Sequence, residues 1–387
     1  MALPPDFTLL QVVPELETGG AEQTTIDVAR AVIAAGGKAL VATRGGRMTA
    51  RLVADGARLA QMPVNTKNPL TMLGNAARLV ALIRQEKVSL VHVRSRAPAF
   101  AALWAARATK TPFVTTYHGI YSARGGLKRW YNAVMTRGDL VIANSDYTRA
   151  HILAEHPVDP DKVVAIPRGV DFDRFNPSWV TPDRVEAMRR DWGLAADDRR
   201  TAFVLAARLT RPKGHLTVIA AAAALKAQGR SDFVVVFVGD DQGRTEFHQQ
   251  VARAIADAGL DEVVHIEGHC DDMPAAYLAG EVALAARTTP EAFGRTAVEP
   301  QAMGRPVIAS DDGGMTETVV DGVTGWLVPP GDAEAWAKAM ARAIDLGPGG
   351  RREMGQAGMT RARQLYRVET MCAATLEVYE RVLEAHA

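Results

Sequence analysis

Two cations, two carboxylates and several glycines stand in one ordered stretch between residues 206 and 331. Arg208 and Lys213 lie in AARLTRPKGH (206–215), just past an apolar run, in a loop that also holds Pro212 and Gly214. Arg presents a planar fork matched to phosphate oxygens and Lys a compact point charge, so the pair suits a diphosphate. Further on, Glu291 opens EAFGRTAVEPQAMGRPVIAS (291–310). Gly294 lets this loop come close to a ligand. Thr296–Met303 reads as a helix, and the amides of Gly294–Ala297 at its start would face an anion. Glu299, one turn in, has acceptor oxygens for a ribose diol. Plainer readings stand beside these: Arg208 and Lys213 as solvated surface cations, Glu299 as a helix-start carboxylate favoured by the macrodipole. The spacing of the two glutamates carries no weight by itself.

The first half holds a second group. Gly19 and Gly20, in GGAE (19–22), end the first strand and open a helix, where a double glycine permits close approach to a phosphate or sugar, or simply makes the turn. G-x-G-x-x-G and the P-loop pattern are both absent. His118 follows the strand text PFVTTY, and a residue at a strand's carboxyl end points into the crevice of an open α/β sheet. It is placed to bond a sugar hydroxyl, to lie on the path of the transferred proton, or to serve as an ordinary structural histidine. From Lys87 to Gly138 there is no Asp or Glu, while Arg94, Arg96, Arg124, Lys128 and Arg129 alternate with Trp104, Tyr121, Trp130 and Tyr131. Such a mixture suits an anionic membrane surface or an anionic acceptor. No nucleic-acid module accompanies it, so nucleic acid is not expected as a partner. The bland alternative is that several of these cations pair with distant carboxylates.

The elements that must position these residues follow from periodicity. At 387 residues the chain is long for one core, so two domains are expected. Short apolar runs without alternation (7–13, 38–43, 88–93, 112–116 and 140–143) read as parallel strands buried on both faces, with helices between them. PRGVDFDRFNPSWVTP, rich in Pro and Asp, reads as an interdomain connection. A second series (201–206, 233–238, 263–267, 282–285, 306–309 and 325–328) repeats the pattern, and the tail from Glu369 reads as a final helix. The fold class is therefore α/β, with two doubly wound halves, each with a crevice at its strands' carboxyl ends.

Bulk properties narrow the class. A content of 48% hydrophobic and 23% charged residues fits a globular enzyme. Residues 1–180 carry 22 Lys/Arg against 14 Asp/Glu and the remainder 23 against 30, so the first half is the one expected to meet something anionic. Cys270 and Cys372 are too few for a disulfide framework or a zinc site and suit a reducing compartment. There is no apolar leader and no membrane-spanning run, so a cytoplasmic protein is expected, with any membrane contact peripheral.

As an ordered series, ARLTRPKGH, VGD (238–240), GHCDDMPAAY (268–277), PEAFGRTAVEPQAMGRPVIAS, GGMTETV (313–319) and GVTGWLVPPGD (322–332) resemble the retaining nucleotide-sugar glycosyltransferases of family four. GGAE, YHG (117–119), ANSDYTR (143–149) and IPRGVD (166–171) extend the resemblance over nearly the whole chain, less tightly. It implies the GT-B fold, two Rossmann-like domains facing each other across a cleft. The acceptor-binding domain would span 1–175 and the donor-binding domain 180–365, with a helix at about 366–387 packing back on the first. By the resemblance, His118, Glu291, Arg208 and Lys213 form the catalytic set. Gly19, Gly20, Phe293, Gly294, Arg295, Thr296 and Glu299 join Arg208, Lys213 and Glu291 around the donor. Arg124, Lys128, Arg129 and Trp130 would meet the acceptor or the membrane.

The resemblance further implies a UDP- or GDP-sugar as co-substrate, no metal and no other cofactor, and transfer with retention of configuration. The expected acceptor is a lipid-linked glycan or glycolipid, as in lipopolysaccharide core or other cell-envelope synthesis. Left open beside it are an epimerase or phosphorylase on the same fold and a non-catalytic nucleotide-sugar-binding subunit.

Overall fold

The computed structural model describes residues 3–17, 19–121, 125–195, 197–243 and 245–387. Backbone contacts divide the chain into two compact units. The first runs to Gly169 and regains Val368–Ala387; the second is Val170–Arg367. The two passages between them are neighbours, since Val170 N–H donates to Tyr366 O at 2.8 Å and Val170 bridges Arg367.

The first unit holds β1 (Thr8–Val12), β2 (Lys38–Thr43), β3 (Arg58–Gln61), β4 (Leu90–Val93), β5 (Phe113–Tyr117), β6 (Leu140–Ala143) and β7 (Val163–Ala165), ordered β3-β2-β1-β4-β5-β6-β7. Every pairing is parallel. Alternate residues feed opposite faces: Leu10 and Val12 enter one apolar cluster, Leu9 and Val13 the other. That second face is closed by Met371, Leu376, Tyr379 and Val382 of the Val368–Glu384 helix.

The second unit repeats the plan with β8 (Thr201–Ala206), β9 (Phe233–Val238), β10 (Val264–Glu267), β11 (Val282–Ala285), β12 (Val307–Ser310) and β13 (Gly325–Val328), ordered β10-β9-β8-β11-β12-β13 and all parallel. Phe203 and Leu205 face one cluster, Ala202 and Val204 the other. In each unit the strand order reverses once, at β1/β4 and at β8/β11, which opens a crevice at the carboxyl ends of those strands. Among the described residues no helix is long and apolar enough to cross a membrane.

Candidate functional site

At the switch point of the second unit, β8 runs into Arg208 and β11 into Arg287. The loops after them are stitched together. Thr288 N–H donates to Pro212 O at 3.0 Å. Gly214 takes a φ of +79°, and a Cβ there would lie 1.6 Å from Ala286 O. Only glycine allows both the left-handed backbone and this approach. The stitching brings two cations to one carboxylate: Lys213 Nζ lies 3.4 Å and Arg287 Nη1 2.7 Å from Glu291 Oε2. Arg287 is itself oriented by the Thr289 carbonyl at 3.1 Å and hydroxyl at 3.0 Å.

Glu291 is held from behind. Its carbonyl accepts from Gly314 N–H at 2.7 Å, and a Cβ on Gly313, whose φ is +65°, would fall 2.4 Å from that same oxygen. The turn at DDGG (311–314) is thus the support of the Glu291 loop. Burial lowers the Lys213 pKa; Glu291 opposes the shift, while Arg287 and Arg208 add to it. Arg208 is exposed and donates to Gln242 Oε1 at 3.2 Å. Two cations on one carboxylate, with Arg208 near enough to Lys213 to act on its charge, leave a positive locus at the crevice, which an anion would meet.

The Arg295–Ala302 helix follows, with Gly294 at its N-cap at φ 97°. The sequence points to four amides here, but Ala297 N–H is spent on Gly294 O at 2.9 Å by a tight first turn. Glu299 is clasped on both oxygens: Arg295 Nη2 approaches Oε1 at 2.7 Å and the Tyr277 hydroxyl donates to Oε2 at 3.3 Å. Tyr277 is buried, and burial followed by the Glu299 charge raises its pKa well above the ordinary value, so it stays a donor. Thr296 is half-buried at the helix start, whereas Phe293 turns its ring inward onto Tyr366, centroids 5.3 Å apart.

In the first unit, Gly19 and Gly20 do not end the first strand. β1 stops at Val12, an irregular segment follows, and the helix opens at Gly20. Gly19 has φ 173°, extended backbone that any residue adopts. His118 is the first residue past β5, and its Nδ1 lies 2.7 Å from Arg168 Nη2. Lys128, Arg129 and Trp130 sit exposed on the Gly126–Asn132 helix, with Arg129 3.8 Å from Glu155. Arg124 lies outside the described residues. A cavity of about 710 Å³ in this unit is lined by Lys67, Ser95, Arg96, Lys128, Trp130 and Tyr131, with Ala97 and Leu127 completing its wall. Among the described residues no carboxylate lines it. Arg96 is fixed there by Asn132 Oδ1 at 2.7 Å and by the Tyr121 ring, 3.9 Å below its guanidinium.

The structure therefore gathers Lys213 and Glu291, with Arg208 near them, and sets Glu299 on the neighbouring helix. Arg287 and Tyr277 were missed by sequence reasoning. Arg287 carried a signal, since it stands two residues past a strand at a switch point and four residues before Glu291. Among the described residues no group of three or more His, Cys, Asp or Glu is placed to hold a metal ion.

Comparison with known proteins agrees with this architecture. Residues 18–174 match the family described as Glycosyltransferase Family 4, and residues 186–361 match Glycosyl transferases group 1. The chain is similar to a glycosyltransferase from Rickettsia africae, 33% identical with a TM-score of 0.89, over 98% of this chain and 99% of that one. It is similar in fold to Anabaena Alr3699/HepE in complex with UDP-glucose, 24% identical with a TM-score of 0.85, over 97% and 99%. The D-inositol 3-phosphate glycosyltransferase of Actinosynnema mirum is 36% identical over 237 residues, 59% of this chain and 54% of that protein. The chain spans a little over half the length of the curated relatives it matches. With two all-parallel Rossmann-like units and these matches over both of them, the chain belongs to glycosyltransferase family 4, with the GT-B fold.

Proposed function

We propose that the protein moves a sugar from a UDP- or GDP-sugar to an acceptor hydroxyl, with retention of anomeric configuration. The observation that carries this is the meeting of Lys213 and Arg287 on Glu291 at the β8/β11 switch point. As the bond from the anomeric carbon to the diphosphate breaks, negative charge grows on the leaving group and positive charge on the sugar. Cations fixed where that charge develops stabilise the transition state more than the ground state. In this reading Arg208, Lys213 and Arg287 take the diphosphate, Glu291 the sugar hydroxyls and the clasped Glu299 the ribose diol. The Gly294–Thr296 backbone lies along the donor. With three cations on the phosphates, no metal ion is required. UDP-glucose bound in the Anabaena protein supports the donor class.

For the acceptor, the reading is a lipid-linked glycan or glycolipid bearing phosphate, as in lipopolysaccharide core or other cell-envelope synthesis, met at the cytoplasmic face of a membrane. The cavity with Lys67, Arg96 and Lys128 on its wall and the exposed Leu127 and Trp130 beside it support an anionic, amphiphilic molecule. A second reading is a phosphorylated polyol, favoured by the named substrate of the Actinosynnema relative.

Calorimetry against UDP-, GDP- and ADP-sugars, followed by product NMR with a phosphorylated polyol and a glycolipid, tests both levels. Binding of a UDP- or GDP-sugar and a product of unchanged anomeric configuration is expected. Inversion contradicts retention; conversion of the donor without acceptor, or dependence on inorganic phosphate, makes it an epimerase or a phosphorylase. Binding without transfer to any acceptor favours a non-catalytic subunit. Flotation with anionic liposomes at low salt, where screening is weakest, tests the membrane reading; absence of binding there rejects it.

A further inference from the structure

We propose that Arg168 is a positioning residue: it fixes the tautomer of His118, so that His118 meets the substrate as an Nε2–H hydrogen-bond donor and not as a proton acceptor. This rests on the glycosyltransferase reading only for the identity of the substrate.

The backbone sets the geometry. β5 is buried along its whole length, and His118 is the residue at which it leaves the sheet. On the other side, Ile166 N–H donates to Ala143 O at 2.8 Å and extends the β7 register by one residue. Gly169 N–H then points at Met371 Sδ, 3.2 Å away on the Val368–Glu384 helix. Arg168 is pinned between these two contacts. Its Nη2 lies 2.7 Å from His118 Nδ1.

A guanidinium carries donors only and stays charged at any pH a protein survives. The ring atom it meets at this distance must therefore offer a lone pair. A neutral imidazole has one N–H, so the proton sits on Nε2. An imidazolium would set an N–H of its own against the arginine N–H.

The surroundings act the same way. The charged and titratable groups that bear on the ring are Arg168, Arg94 just past β4, and His92 on β4. Burial first, then these three, hold the His118 pKa well below the usual value. His92 is occupied by Tyr379 OH at 2.6 Å and Thr116 Oγ1 at 2.7 Å. His118 Nε2 is enclosed and has no hydrogen-bond partner among the described residues. A buried donor in that state is unfavourable unless something accepts from it, which marks it for a ligand oxygen. The proton lost by an acceptor hydroxyl is then not taken up by this ring.

The test is a two-bond ¹H–¹⁵N correlation spectrum of protein labelled with ¹⁵N-histidine, recorded across the range where an ordinary histidine titrates, near pH 6.5. The expected signal is an Nε2-protonated ring that does not titrate there. An Nδ1-protonated ring, or an ordinary titration, overturns the inference. In Arg168→Leu the ring should show both tautomers and begin to titrate. Its kcat should fall on the order of ten- to a hundredfold, by analogy with loss of the partner that orients a metal-bound histidine, with an acid limb appearing in the pH profile and a smaller change in KM. Arg168→Lys should restore the Nε2–H tautomer and most of kcat. An unchanged ring in Arg168→Leu also overturns it. The spectra need no turnover, so failure to find transfer would sink the proposed function and leave this inference standing, while active enzyme with a titrating His118 would do the reverse.

Discussion

The Lys213 ammonium stands 3.4 Å from Glu291 Oε2, the same oxygen that Arg287 Nη1 approaches at 2.7 Å. One carboxylate oxygen is shared between two cations that come from different loops. The ion pair is enclosed, with about 15% of the Lys213 side chain and 24% of the Glu291 side chain exposed, so bulk water screens it weakly. It links the residues read as holding phosphate to the residue read as holding sugar.

Replacing Glu291 by Gln separates those two roles. It removes a negative charge from the phosphate site, so calorimetry should find UDP bound as tightly as before or a few-fold tighter. Turnover with a nucleotide sugar should nevertheless drop by about 10²-fold or more. Weaker UDP binding in this variant would mean that the carboxylate acts mainly by holding Lys213 and Arg287 in place for the phosphates.

Lys213→Met and Arg208→Met should each lower kcat by on the order of 10²–10³, as expected for a preorganised charge lost opposite a developing one. Arg208 is exposed, so its variant should melt with the parent protein. A fully active purified variant at either position ends its assignment.

Gly214→Ala probes the stitching of the two loops. The left-handed backbone and a Cβ 1.6 Å from Ala286 O both resist it. A loss of at least about 2 kcal/mol is expected, seen as a fall of about 4–8 °C in the melting temperature. A variant as stable as the parent would mean that the 208–214 loop sits elsewhere.

His215 makes the second unit acid-sensitive. Burial, aided by the Lys213 charge, pushes its pKa down to about 4. Between that value and the ordinary one near 6.5, the unfolded chain binds a proton that the native state does not. Stability from this residue is therefore complete above pH 6.5 and declines as pH falls, by about 2 kcal/mol at pH 5. Urea unfolding of His215→Leu at pH 7 and pH 5 should show a pH dependence smaller by about that amount. Equal dependence in both proteins would refute the assignment.

Much of the fold was legible because most strands are uninterrupted apolar runs. FVVVFV (β9) and LVIA (β6) are buried at every position, and no helical periodicity competes with them. β3 was missed for the opposite reason: RLAQ is an edge strand with its first and last residues exposed, so nothing in its composition demands a sheet. The three residues of β7 gave too short a run to read. At the site, Glu291 and Lys213 could be named from loop context, but their meeting depends on Gly214 lying against Ala286, a contact between distant segments. The role of Arg168 was hidden for the same reason: fifty residues separate it from His118, and only the order β5-β6-β7 brings them together.

The Val368–Glu384 helix belongs to the same unit as Leu9 and Val41, yet a ribosome delivers it only after the whole second unit. Until all of Val170–Arg367 has been made, Leu9, Ile26 and Val41 lack the side chains that later cover them. The nascent amino-terminal half must wait with that apolar face only partly covered, the kind of exposed surface that holding chaperones bind. A premature stop that trims only the tail would accordingly wound the half synthesised first, and spare its neighbour in sequence.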